Sequence, residues 1–486
     1  MKLKQWGLIG LLGIGLVGLG VSYGHLTNRT PSQGMMGGQM MGNMGSTATT
    51  ATTAKTAAHQ LALPPLLKPT SASKTKVAYT LTAQTGALAL KKGAKTATLG
   101  YNGNYLGPVL RVKRGQILQV TTKNKLKQAT SFHWHGAILP GNVDGGPGQS
   151  VAAGQQKTIA FKVSQSAATL WYHPHAMGST AKQVYQGLAG LIYVQDAVSQ
   201  KLNLPDKYGV DDFPVVIQDR NFTANNQFDY AADHQNDGTT GKTLLINGTL
   251  NPYIKVTTKL VRLRFVNGSN ARNYRLTLSN GQAMHQIATD GGLLAKPVAV
   301  KTLKLAPGER AEVVIDTSKL TSQVTVKNGQ QRVLALRLAS NRRQQGTLPN
   351  ELTTLPTVDT TNAQHQTLSF SGMGSMVSIN HQQYDPSRVN LTAKQGQNQV
   401  WTLKNTGTMM GNEIHPFHLH GVQFRILSIN GQTPPANLRG YKDTVALTPG
   451  STVKIAFKFQ DRGTYVYHCH NLEHEENGMM GQIKVS

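Results

Sequence analysis

Ten of the sixteen histidines, the only cysteine and one methionine fall in four short clusters. These are His133-Trp134-His135, His173-Pro174-His175, His415-Pro416-Phe417-His418-Leu419-His420, and His468-Cys469-His470 with His474 and Met479 behind it. Two imidazoles, a thiolate and a weak axial thioether make a blue-copper electron-transfer site. Building one such site leaves eight clustered histidines, which have no comparable role unless they hold more metal. Zinc fits less well, because it favours closed tetrahedral sites with more cysteine or an isolated catalytic ion.

Each H-x-H pair lies two residues apart in a sequence that reads as strand, so both imidazoles of a pair project from one face. Cys469 sits between His468 and His470 and projects from the other face. It can therefore serve one metal while its neighbours serve others, with a short covalent route between them. The matching position in the earlier cluster is Pro174, which cannot bind metal.

The elements that must position these groups are strands. Short runs of Val, Thr, Ile and Leu alternate with Gly, Asn and Pro turns, and the body has no long run of helical period. A repeat divides it: Gly154, Gly308 and Gly450 each have apolar residues five and seven positions later, Ile159 and Phe161, Val313 and Ile315, Ile455 and Phe457. Thr169, Tyr172, His173 and His175 recur in register as Thr464, Tyr467, His468 and His470. The middle repeat carries no histidine cluster and reads as a spacer that lets the outer two meet. The expected organisation is all-β: a domain over 77–200, a ligand-free domain over 208–340 and a third over 365–486, joined by linkers near 201–214 and 340–365.

Ahead of them, a basic start with Lys2 and Lys4 leads into Trp6 to Tyr23, which has no charge. Residues 1–23 read as a signal or membrane-anchor segment with the body outside the cytoplasm, on the cell surface or secreted. Residues 24–76, rich in Gly, Ser, Thr, Ala and Met, read as a flexible tether. Within it Met35, Met36, Met40, Met41 and Met44 could collect Cu(I), which thioethers select. One cysteine excludes an intramolecular disulfide. The formal charge of +27 favours anionic partners such as cell-wall polymers or lipid headgroups, and the export signal argues against nucleic acid.

The motif set resembles that of the three-domain multicopper oxidases, nearest their bacterial copper-efflux (cuprous) oxidase and laccase-like branch. Besides the histidine clusters, His133-Trp134-His135-Gly136, Val143-Asp144-Gly145-Gly146-Pro147, Gly187-Leu188-Ala189-Gly190, Asp290-Gly291-Gly292-Leu293-Leu294 and Tyr441-Lys442-Asp443-Thr444 carry the likeness, which runs from about residue 78 to the end. It implies three cupredoxin-like Greek-key sandwiches and four copper ions. Type 1 copper would take His415, Cys469, His474 and Met479. Type 2 would take His133 and His418. The type 3 pair would take His135, His173, His175, His420, His468 and His470. It further implies that electrons from Cu(I) or a phenolic reductant enter at type 1 and reduce O2 to water at the other three coppers. Asp144 and Glu475 match the family's proton-relay acids, and Asp443 an acid on the substrate side of type 1. The family also includes cell-division relatives that have lost their ligands, whereas this chain keeps every one. The Met-rich insertion of copper-efflux oxidases is missing, with only Met373 and Met376 in the corresponding region and Met409 and Met410 before His415. The alternative expectation is a copper-sequestering surface protein with little turnover.

Overall fold

The computed structural model describes residues 57–230, 237–407 and 413–486. The segment 1–23, the first part of the tether with Met35, Met36, Met40, Met41 and Met44, and also Met409 and Met410, lie outside the described residues.

Three β-sandwiches follow one another along the chain. The first pairs a sheet built on Lys76–Leu88, Ile117–Asn124 and Gln156–Lys162 with a sheet of Val109–Lys113, Gly190–Gln195, Ala168–His173 and His133–His135. The second pairs two six-stranded sheets, one centred on Leu260–Asn267 and Arg310–Asp316, the other on Gln331–Arg343 and Val324–Asn328. In the third, a sheet of Gln364–Ser371, Asn398–Gly407 and Thr452–Lys458 faces one of Met480–Val485, Gly463–Cys469, His415–Leu419 and Thr444–Leu447. Each has its own apolar core, around Trp134 and Tyr172, Phe265 and Val313, and Trp401 and Phe417 respectively. A further apolar seam, with Trp171 and Leu191 against Val216 and Val266, packs the first domain on the second.

Strand parity decides what faces where. His133 stands opposite His173, and Trp134 opposite Tyr172. Trp134 and Tyr172 lie in the first core, so the histidines that alternate with them face away from it. The third domain repeats the device: Phe417 pairs with Cys469 and His418 with His468. Phe417 and Cys469 lie in the third core, and His418 and His468 project from the opposite face.

Two expectations need correction. The tether does not extend to residue 76. His59–Gln60 pairs in parallel with Pro252–Thr258 of the second domain, and Ser71–Ala72 with Lys76–Leu88 of the first. Leu61, 5% exposed, belongs to the second core. Averaging over the Gly- and Ser-rich tail hides the apolar Leu61, Leu63, Leu66 and Leu67. The stretch 340–365 is likewise more than a linker, since Gln331–Arg343 is one strand and Leu352 packs with Leu204 and Leu260.

Candidate metal centre

Among the described residues, five groups of buried side chains bring their ligand atoms within 4.8 Å of one another; one is His133, Asp144 and His420, and the other four contain only histidine and cysteine. Of these four, one is His133, His135 and His418. Another is His135, His173 and His470. A third is His175, His420 and His468. The fourth is His415, Cys469 and His474. The first three form one continuous cage between domains one and three, and the fourth lies inside domain three. The six histidines given to the type 3 pair thus sort into two triplets, each drawing on both outer domains.

Hydrogen bonds fix which nitrogen is free in four of these rings. A carbonyl only accepts, so a ring nitrogen bonded to one must carry the proton. His133 Nδ1 donates to Asp144 O at 3.1 Å and His418 Nδ1 to Asp443 O at 2.8 Å. Their Nε2 atoms are left buried without a hydrogen-bond partner. His173 Nδ1 donates to Pro174 O at 2.8 Å and His468 Nδ1 to Cys469 O at 3.0 Å. Their Nε2 atoms turn inward, with His468 Nε2 at 3.2 Å from His175 Nε2 and 3.0 Å from His420 Nε2. Nitrogens converging in this way offer the acceptor set that a cation would need.

The Cys469 site is built on a strand end and a short helix. Cys469 Sγ lies 3.8 Å from His415 Nδ1 and 3.7 Å from His474 Nδ1. Helix Leu472–Glu476 carries His474, and Asn471 caps it by accepting from Glu473 N at 3.2 Å. The middle domain clamps this helix through Glu473, which accepts from Thr239 N at 3.0 Å and from Asn270 Nδ2 at 2.8 Å. Met479 is fully buried in the same core as Cys469, and its carbonyl accepts from Cys469 N at 3.0 Å.

Burial keeps the histidines in the form a metal needs. It lowers His415 to about 4 and His474 and His468 to about 3, and pushes His135, His173, His175, His418, His420 and His470 well below the usual value. Neutral imidazole is the ligand form. Burial pushes the Cys469 thiol up, so a thiolate there requires a bound cation. Buried imidazoles without partners beside such a thiol fit copper, and two histidines with one cysteine is the blue-copper donor set.

Depressed histidines carry a stability consequence. Between the ordinary 6.5 and about 4, the unfolded chain binds more protons than the folded one, so stability rises with pH across that window. The contribution is complete above 6.5 and is lost as pH falls through about 4. The copper-free protein should therefore show a melting temperature that declines steeply as pH falls over this interval. A melting temperature flat across it would contradict burial of neutral imidazoles.

The carboxylates separate by position. Asp144, 3% exposed, has Oδ2 at 2.6 Å from His420 Nδ1 and Oδ1 at 3.4 Å from His133 Nδ1. It lines a cleft of about 310 Å³ together with Asn142, Gln149 and Thr464. Glu475 lies 3.4 Å from His175 Nε2 and 3.3 Å from His468 Nδ1. Burial pushes its pKa well up, and Glu476 and Glu473 add to the rise. Asp443 is not on the substrate side of the Cys469 site. It is fully buried, with Oδ1 at 2.9 Å from His135 Nε2 and both oxygens against Arg310. Arg310 escapes a sequence reading because its partner lies 133 residues away and its own domain has no ligand cluster.

Three multicopper oxidase family models match residues 82–199, 211–333 and 348–486. A multicopper oxidase of Staphylococcus epidermidis is 44% identical over 410 residues, covering 84% of this chain and 88% of that one. The cell division protein FtsP of Escherichia coli is 34% identical over 447 residues, covering 88% and 92%. The crystal structure of a laccase from Pediococcus acidilactici superposes with a TM-score of 0.86 at 39% identity, covering 89% and 94%. The fold, the histidine cage and these likenesses together show that the chain belongs to the multicopper oxidase family.

Proposed function

We propose that this protein couples one-electron oxidation of Cu(I), phenols or both to the four-electron reduction of O2 to water, with four copper ions. Type 1 copper would bind His415, Cys469, His474 and Met479. Type 2 would bind His133 and His418. The type 3 ions would bind His135, His173 and His470, and His175, His420 and His468. One observation carries the reading. Cys469 belongs to one ligand group, while its neighbours His468 and His470 belong to the two triplets of the cage. A single strand end joins an electron-entry site to both. Copper, when bound, supplies one-electron transfer at Cys469 and dioxygen reduction at the cage.

The residues around the cage do the rest. Asp144 orients His420 and borders the cleft through which water and protons reach it. Glu475, whose pKa burial pushes up, lies between His175 and His468. Reduction of O2 takes up four protons with four electrons, so two carboxyl groups beside the cage suit delivery. On the electron side, Gly374–Met376 lies beside helix Leu472–Glu476, where Asn477 Nδ2 donates to Gly374 O at 3.1 Å. Met376, 75% exposed, offers a thioether there for Cu(I). The likeness to a laccase favours an organic reductant alongside it. We further propose, from the basic start and the uncharged run after it, that the body acts outside the cytoplasm as a membrane-anchored protein.

Steady-state oxygen uptake tests the reading, with the copper-loaded full chain supplied with Cu(I) or with a phenol. Uptake with at least one reductant is expected. None with either would favour copper sequestration instead. A form lacking residues 35 to 44 should be slower with Cu(I) alone; equal Cu(I) kinetics would remove the proposed role of the tail methionines.

A further inference from the structure

His135 is bonded differently from the histidines around it. His173, His175, His420 and His468 turn Nε2 towards the cage, whereas His135 turns Nδ1, which lies 3.3 Å from His173 Nε2. The reversal follows from what holds its other nitrogen. His135 Nε2 lies 2.9 Å from Asp443 Oδ1 and 3.1 Å from Thr444 Oγ1. Thr444 Oγ1 itself donates to Asp443 Oδ1 at 2.9 Å. The carboxylate therefore accepts a hydrogen bond from His135 Nε2–H and leaves the Nδ1 lone pair facing inward.

Asp443 cannot choose another pose, because a residue of the middle domain grips it. Arg310 Nη1 donates to Asp443 Oδ1 at 2.5 Å and Nη2 to Oδ2 at 2.5 Å, a two-point fork. The remaining guanidinium donors reach Thr169 O at 3.1 Å, Gly308 O at 3.1 Å and Asp290 O at 3.0 Å. All five N–H groups are thus used, and both side chains are fully buried. Lysine has no planar fork and cannot reproduce this set.

The surrounding backbone is cleared for the arrangement. A Cβ on Gly136, whose φ is +86°, would come within 2.5 Å of Arg310 Nη2 and 2.6 Å of Asp443 Oδ2. A Cβ on Gly308, φ +84°, would come within 2.9 Å of the His470 ring. The turn that opens the middle domain's repeat strand thus lies against one cage histidine and delivers Arg310 towards another.

We propose that Arg310 is a positioning residue of the copper cage: through Asp443 it fixes the ring orientation and tautomer of His135, so that the middle domain, which supplies no ligand among the described residues, controls how firmly the type 3 pair is held. This rests on the copper reading above. Partners behind a metal-bound histidine typically change metal affinity by about 10- to 100-fold.

The test compares wild type, Arg310→Met and the double variant Arg310→Met/Asp443→Ala after copper loading of the full chain. The second variant matters because removing the arginine alone leaves a buried, unpaired carboxylate that can block folding. Melting temperature of the copper-free proteins reports folding. The blue band reports the Cys469 site, and the near-ultraviolet band and electron paramagnetic resonance report the paired coppers. Titration with a copper chelator should strip the near-ultraviolet band of the folded variants at about 10- to 100-fold lower concentration than in wild type, with the blue band retained. If the double variant folds and keeps the wild-type near-ultraviolet band and chelator resistance, the pair is only a structural salt bridge and the proposal fails. Equal weakening of the blue band would also overturn it, because the effect would not be specific to the cage. A wild-type protein without any near-ultraviolet band would instead defeat the copper reading itself.

Discussion

Cys469→Ser should abolish the blue colour and lower oxygen uptake by at least about 10³-fold with every reductant, while the histidine cage still takes up copper. Serine is nearly the same size and accepts hydrogen bonds, so the third core keeps its shape. What is lost is the soft ligand and the sulfur link between the two kinds of site. The cage survives because its ligands are held from outside this position: His468 Nδ1 bonds the main-chain carbonyl of residue 469, which serine retains. Copper analysis, absorption spectra and oxygen uptake on one preparation check all three parts. A variant that still turned over at a tenth of the wild-type rate would show that electrons enter elsewhere.

Asp144→Asn and Glu475→Gln should each slow turnover by about 10²-fold, within the range for a positioned acid or base, with copper content unchanged. The substitutions keep shape and one acceptor oxygen. An asparagine amide oxygen can still accept from His420, which Asp144 meets at 2.6 Å, so ligand geometry is preserved and only proton handling changes. Glu475 is the sharper case. It is buried to 1% exposure and its pKa is pushed well up, which favours the protonated form. A glutamine side chain resembles that protonated form in hydrogen bonding but cannot release the proton. Copper counts, visible spectra and turnover numbers separate this from a loss of metal. Unchanged turnover in both variants would show that neither carboxyl group lies on the proton route.

The ligand groups were legible because the chemistry is written in local spacing. An H-x-H on a strand puts both rings on one face whatever the rest of the chain does, and a cysteine between two such histidines must face the other way. The structure bears that parity out in the pairings of Phe417 with Cys469 and His418 with His468. The three-sandwich architecture was legible for a related reason, since the turn glycines recur with their inward apolar residues. What escaped was set by distant contact. Asp443 sits in a recognisable motif, but nothing local says whether its side chain meets solvent or the Arg310 fork. Arg310 itself looks like an ordinary residue at a strand start, and its role appears only when three domains close around one cage. The ordered stretch from residue 57 escaped because its few leucines adjoin a long polar tail, and their partner strand, Pro252–Thr258, lies far along the chain.

Oxygen reduction by this chain requires copper held in two electronically distinct environments. The most direct measurement is metal analysis of the purified, copper-loaded full-length protein, read together with its visible and electron paramagnetic resonance spectra. Four coppers per polypeptide are expected, with an intense blue band and resonance signals from two of the four, because a coupled type 3 pair would be silent. A colourless protein, or one that holds far fewer than four coppers after loading, would contradict the copper reading.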